Sequence, residues 1–201
     1  MAQQSRRYVL KARADAVEQT RRRILAEARD ALFSLPFDEL TLPLVAERAG
    51  VTTQTVRNHF ESKEGLIVAL TDALGAELLQ SRRAAAAADS GSAAVMLVAE
   101  YETYGHAVTR LLAATEHSPA MAAMAGQGRR EHQQWLEGTF ADRLPAGQTP
   151  TERRTRRHVL AALYAATDVG TWRLLRLDLG HSRRMTTEVM RTLIDGALTS
   201  T

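Results

Sequence analysis

Thr41-Leu-Pro-Leu-Val-Ala-Glu-Arg-Ala-Gly50-Val-Thr-Thr-Gln-Thr-Val-Arg-Asn-His-Phe60-Glu-Ser-Lys-Glu-Gly-Leu66 carries the most specific pattern in the chain. Leu42, Val45, Ala46 and Ala49 recur at i, i+3, i+4 and i+7, one apolar stripe of a helix. Gly50 follows at once, the residue that best tolerates the left-handed backbone of a helix end. A second helix fits Thr53 to Phe60. At roughly 100° per residue, Val56 and Phe60 point one way and Gln54 and Asn58 the other, flanked by Thr55 and Arg57. Ser62 is the expected N-cap of a third helix. A helix that turns amides and a guanidinium outward, braced by a preceding helix across a glycine turn, is the arrangement of a helix-turn-helix that reads DNA. Gln54 and Asn58 suit bidentate contacts with adenine, and Arg57 suits guanine or phosphate.

Outward from this stretch, length and composition set bounds. The 201 residues can bury a real core, as one domain or as a small domain joined to a larger one. Hydrophobic content of 45% and charged content of 24% are ordinary for a globular protein. Without cysteine, neither a disulfide framework nor a thiolate metal site is expected, which fits a cytoplasmic location. There is no signal-peptide pattern and no long apolar run, so no membrane span is expected. Net charge is +3, yet residues 1–25 hold Arg6, Arg7, Lys11, Arg13, Arg21, Arg22 and Arg23 against Asp15 and Glu18, a local net of +5. That concentration points to a region that binds a polyanion.

Residues 1–16 lack clean periodicity and read as a flexible basic arm. A helix is expected from Val17 to Leu35, with Ile24, Leu25, Ala28, Ala31 and Leu32 buried and Arg21–Arg23 placed to approach a DNA backbone. Pro36 and the segment to Leu40 break it. Thr41 is the expected cap of the next helix, with Pro43 in its first turn. After the helix at about 63–85, Asp89-Ser-Gly-Ser92 reads as a loop. Further helices are expected at about 93–115, with a break near Gly105, and at 119–143, 151–178 and 182–199. No strand pattern appears. The fold class is all-α, an N-terminal three-helix domain (residues 1–65) joined to a larger helical domain (66–201).

Ala46-Glu-Arg-Ala-Gly-Val51, Thr55-Val56, His59-Phe60 and Ser62-Lys63-Glu64 together resemble the tetracycline-repressor (TetR) family of bacterial regulators. The pattern is long and ungapped, and the likeness covers about residues 20–66. It implies a transcriptional regulator that is not an enzyme, a repressor released from double-stranded operator DNA by a small-molecule ligand. It also implies phosphate contacts from Thr53, Thr55 and His59, and Thr41, Thr52 and Lys63 complete the expected DNA-binding set with Gln54, Arg57 and Asn58. At Arg57 the family usually carries an aromatic that touches phosphate, so base and phosphate both stay open for this residue. Family members pair their last two long helices, which implies a homodimer through residues 151–199, and with it a palindromic operator.

The larger domain carries Tyr101, Tyr104, Met121, Met124, Trp135, Phe140, Tyr164 and Trp172, which suit an apolar cavity for an apolar or aromatic effector; ordinary core packing competes for each. Asp168 would share a helix face with Tyr164 and Trp172, there to meet a cationic ligand or an arginine such as Arg173 or Arg176. The remaining histidines form no short metal motif, and no phosphate loop or nucleophile elbow appears, so no metal, cofactor or catalytic residue is expected. Two other classes remain: a DNA binder without sequence preference, and a ligand-binding helical module with a degenerate head.

Overall fold

The computed structural model describes residues 2–85 and 89–199. Among the described residues there are helices and turns but no strand. The helices are α1 (Ala2–Ser34), α2 (Leu42–Arg48), α3 (Thr53–Phe60), α4 (Lys63–Ala85), α5 (Ser90–Ala113), α6 (Pro119–Thr139), α7 (Pro150–Thr167), α8 (Val169–Arg173) and α9 (Arg183–Thr199). None is long and apolar enough to cross a membrane. The chain divides into two compact units, one reaching to Leu74 and the other starting at Gly75, so the division lies inside α4. The first turns of α4, with Leu66, Ile67, Leu70 and Leu74 buried, thus belong with the preceding helices.

In the first unit the core is drawn from all four helices: Ile24, Ala28, Ala31 and Leu32 of α1, Leu42, Val45 and Ala46 of α2, Val56 and Phe60 of α3, and the α4 residues just named. Leu25 is only half-buried, at the edge of its stripe. The beginning of α1 corrects the sequence reading. Backbone expected to be a flexible arm over 1–16 is helical from Ala2 onward. Residues 2–23 contain neither glycine nor proline and are rich in Ala, Arg, Lys, Gln and Glu, all strong helix formers. Periodicity missed this because it detects only a buried face, and residues 11–19 are exposed on every side.

In the second unit, α9 packs against both α5 and α7, and α8 against α5. Leu97, Val98 and Tyr101 of α5, Leu136 of α6, Val159 and Leu163 of α7, Trp172 of α8, and Met190 and Ile194 of α9 lie in one hydrophobic cluster. Three expectations fail here, each for a local reason. Asp89–Ser92 is not a loop but the start of α5. Asp89 Oδ1 accepts from the Ser92 amide at 2.7 Å and the Ser92 hydroxyl accepts from the Asp89 amide at 3.1 Å, a reciprocal cap. (Ala86–Ala88 lie outside the described residues.) Gly105 does not break α5; its missing side chain makes room for the Trp172 indole, which an added Cβ would strike. The span 151–178 is not one helix. Asp168, at φ −70° and ψ 147°, ends α7 and caps α8, its Oδ1 accepting from the Gly170 amide at 2.7 Å. Beyond α8 the backbone widens to a π turn over Leu174–Asp178, closed by Gly180 at φ +67°. On α9, Met190, Ile194, Ala197 and Leu198 are buried as expected, while Leu193 is 44% exposed.

Candidate nucleic-acid interface

The helix pair α2–α3 is held by its own end chemistry. Thr41 caps α2, its hydroxyl accepting from the Leu44 amide at 3.3 Å. At the other end Gly50 takes φ +63°, the Val51 amide donates to the Ala46 carbonyl at 2.9 Å, and the Gly50 amide donates to the Glu47 carbonyl at 3.1 Å. This pair of bonds closes a helix with a left-handed glycine and turns the chain sharply. Thr52 then caps α3, accepting from the Thr55 amide at 3.1 Å, and its hydroxyl meets that of Thr55 at 2.8 Å.

With Val56 and Phe60 buried, α3 is fixed by one face and shows the other. Gln54, Arg57 and Asn58 are exposed, as is Thr52; Thr53, Thr55 and His59 are half-exposed on the flanks. Gln54 and Asn58, one turn apart, are joined by a hydrogen bond from Gln54 Nε2 to Asn58 Oδ1 at 2.9 Å. The remaining donors and acceptors of both amides are those that bidentate contacts to base edges require. His59 leans on the Phe60 ring, centroids 5.9 Å apart. The structure thus brings Gln54, Arg57, Asn58 and their threonine flanks onto one outward face.

Lys63 departs from that set. Its ammonium donates to the Phe37 carbonyl at 2.6 Å and lies 4.4 Å from the Phe37 ring. Burial lowers its pKa, with Asp38 and Glu64 opposing. The side chain fastens the start of α4 to the α1–α2 turn. Sequence spacing could not show this, because Phe37 lies 26 residues away. The Arg21–Arg23 run is divided in a similar way. Arg21 stacks over Phe60 at 5.2 Å and Arg22 pairs with Glu18 at 2.9 Å, which leaves Arg23 exposed.

The aromatic residues of the second unit do mostly structural work. Tyr101 is buried and its hydroxyl donates to the Thr167 carbonyl at 2.8 Å; burial raises its pKa far above the ordinary range. Trp172 is buried, and its indole N–H donates to Glu102 at 3.1 Å. Met121 is buried; Tyr104, Met124, Trp135 and Tyr164 keep part of their surface exposed. Asp168 does not share a regular helix face with Tyr164 and Trp172, because the backbone breaks at Asp168 itself, and it pairs with neither suggested arginine. Arg176 pairs with Glu102 at 2.8 Å and Arg173 with Asp178 at 3.8 Å.

One polar cluster escaped the sequence reading. Arg82, at the end of α4, makes a two-pronged ion pair with Glu100 of α5, both side chains nearly buried. Its third nitrogen donates to His132 Nδ1 at 3.1 Å, and His132 Nε2 donates in turn to the Thr167 hydroxyl at 2.9 Å, which itself donates to the Leu163 carbonyl. Burial, and then the Arg82 charge, lower the pKa of His132 to about 3, so the ring is neutral. Arg82 also lies over Trp135 at 5.0 Å. The four partners come from four helices, so no local spacing announces them. Among the described residues no group of histidines and carboxylates could hold a metal ion.

Comparison with known proteins agrees with this geometry. Residues 24–70 match the model of a family described as bacterial regulatory proteins, tetR family. No curated protein sequence matches the chain. Among solved structures, a transcriptional regulator from Rhodococcus sp. Rha1 superposes with a TM-score of 0.70 at 17% identity, over 89% of this chain and 95% of that one. A TetR transcription regulator from Haloarcula marismortui gives a TM-score of 0.70 at 17% identity, over 90% of this chain and 97% of that one. At these identities the likeness establishes the fold across both units.

Proposed function

We propose, from the match of residues 24–70 to the tetR family of bacterial regulatory proteins, that this chain is a DNA-binding regulator and a homodimeric repressor that reads a palindromic operator. The observation that carries the reading is the outward face of α3: two amides and a guanidinium exposed one turn apart, over an apolar face that fixes the helix. Gln54 and Asn58 read adenine edges, Arg57 reads guanine or holds phosphate, and Thr41, Thr52, Thr53, Thr55 and His59 lie along the backbone. Lys63 is tied to Phe37 by one donor and has its other donors for a phosphate. One reader of this size buries too little surface for tight, selective binding, so two readers spaced by a helical turn of DNA, about 34–36 Å, are required.

Release follows if a small molecule prefers a conformation of the second unit that DNA binding disfavours. An apolar or aromatic effector has the half-exposed Tyr104, Met124, Trp135 and Tyr164 to engage. Tyr101 and Trp172 already have their polar atoms bonded and their rings packed. The coupling is reciprocal, so an inducer must bind more weakly to the DNA-bound protein.

Selection from random duplex DNA, at fixed salt and with competitor, tests the reading. Enrichment of an inverted repeat is the expected result. Retention with no enriched sequence identifies a non-specific DNA binder, and folded protein that retains nothing at low salt overturns the regulator reading.

A further inference from the structure

Between α3 and α4 the chain has only Glu61 and Ser62 in which to reverse. Glu61 stands at φ 65° and ψ −55°, and it is the only non-glycine with positive φ among the described residues. The Ser62 amide donates back across it to the Phe60 carbonyl at 2.7 Å. A bond from residue i+2 to residue i, with these angles at the centre, is a γ-turn of the rare, strained hand. Side-chain chemistry does not account for it. Glu61 is exposed and its carboxylate makes no hydrogen bond or ion pair among the described residues.

The surroundings hold the turn from every side. The Glu61 amide donates to the Arg57 carbonyl at 2.7 Å. The Ser62 hydroxyl accepts from the Gly65 amide at 3.1 Å, capping α4. Gly65 has no side chain where one would strike the Phe60 carbonyl. Lys63 ties the same turn of α4 to Phe37. Glycine therefore stands where space demands it, while a residue with a Cβ stands where conformation would favour glycine. Strained backbone of this kind persists only where its surroundings over-determine it, and it clusters at functional sites.

We propose that Glu61 is a positioning residue: its strained turn fixes the angle at which α3 leaves α4, and so the pose in which Gln54, Arg57 and Asn58 meet the bases. The inference rests on the DNA-reading role proposed above. A residue with a Cβ at this point narrows the alternatives open to the joint. Glycine would relieve the strain and, by the same freedom, let the reader swing.

The test compares wild type, Glu61→Ala and Glu61→Gly in the full chain. The alanine variant removes the carboxylate and keeps the strain; the glycine variant removes both. Thermal unfolding is followed by circular dichroism. Affinity is measured by fluorescence anisotropy, at fixed salt, for the selected operator and for a scrambled duplex of equal length. Expected for Glu61→Gly are a raised unfolding midpoint, about tenfold weaker operator binding and unchanged binding to the scrambled duplex; Glu61→Ala should match wild type in all three. A lowered midpoint in Glu61→Gly shows that the turn is not strained, and operator binding equal to wild type shows that it does not position the reader. An equal loss in Glu61→Ala assigns the effect to the carboxylate; each of these three overturns the proposal. Wild-type protein that enriches no operator overturns the DNA-reading role instead, while the unfolding comparison still decides the strain.

Discussion

His132 is an imidazole closed in on every side: Arg82 donates to one nitrogen, the Thr167 hydroxyl accepts from the other, and Trp135 and Tyr164 flank the ring. Each contact suits the neutral tautomer with its proton on Nε2. Burial disfavours the charged ring, and a second proton would sit on Nδ1 facing a guanidinium, so the pKa falls from the ordinary 6.5 to about 3. The consequence for stability follows from which state holds the proton. Between pH 6.5 and about 3 the unfolded chain carries a proton that the native state refuses, so stability present above pH 6.5 is lost as pH falls. The loss approaches about 1.4 kcal/mol per pH unit for this one group. Denaturant unfolding of wild type and His132→Gln at several pH values between 7 and 4 isolates it, since glutamine keeps a donor and an acceptor but does not titrate. Wild type should lose stability more steeply than the variant across that range. Parallel curves would show that His132 protonates as freely in the fold as outside it.

At the scale of elements, α1 separates what packs from what does not. Its second half carries the buried stripe from Ile24 to Leu32, and the family match begins at residue 24. Residues 11–19 are all exposed, Lys11 and Arg13 among them, with Arg23 further along. A helix segment this exposed gains its stability elsewhere, and on the proposed reading a polyanion would supply it. Replacing Lys11, Arg13 and Arg23 by alanine should leave the selected DNA motif unchanged and weaken binding to all duplexes alike. If each neutralises one phosphate, the slope of log affinity against log salt becomes shallower by about 2.7 per protomer. An unchanged slope would show that this part of α1 does not touch the DNA backbone.

The same scale shows what could be read from the sequence. The starts of α2, α3 and α4 were legible because local signals agree: Thr41, the Leu42–Ala49 stripe and Gly50, then Val56 with Phe60, and Ser62. The start of α1 was hidden because helix propensity without a buried face leaves no period. The break at Asp168 was hidden because aspartate caps a helix as readily as it lies on one, and only its backbone angles decide. The bond of Lys63 to Phe37 and the Arg82–His132 cluster were hidden because their partners come from distant segments. The α3 face itself needed no distant partner, which is why Gln54, Arg57 and Asn58 could be placed outward from spacing alone.

For the whole molecule, the decisive question is what covers the apolar surface of the second unit. Leu174, Leu177, Leu179, Met185 and Leu193 are each at least 39% exposed, all within the π turn, the segment after it and α9. The π turn and α9 pack together, so these side chains belong to one region of the second unit. Apolar side chains gathered in this way are what an association surface presents, and on the proposed dimeric reading a twofold pairing here would supply the second reader that a palindrome requires. Changing Leu177 and Leu193 together to glutamate puts charge where the pairing would bury it. Sedimentation should then report a monomer, with helical content and the unfolding midpoint close to wild type. The isolated reader loses the effective concentration its twin provided, so affinity for the full operator should fall at least about a hundredfold, while binding to a duplex with one half-site changes little. A variant that stays dimeric would place the interface elsewhere. A monomer that still binds the full operator at wild-type strength would mean that a single reader suffices, and that the inverted repeat reflects two independent molecules.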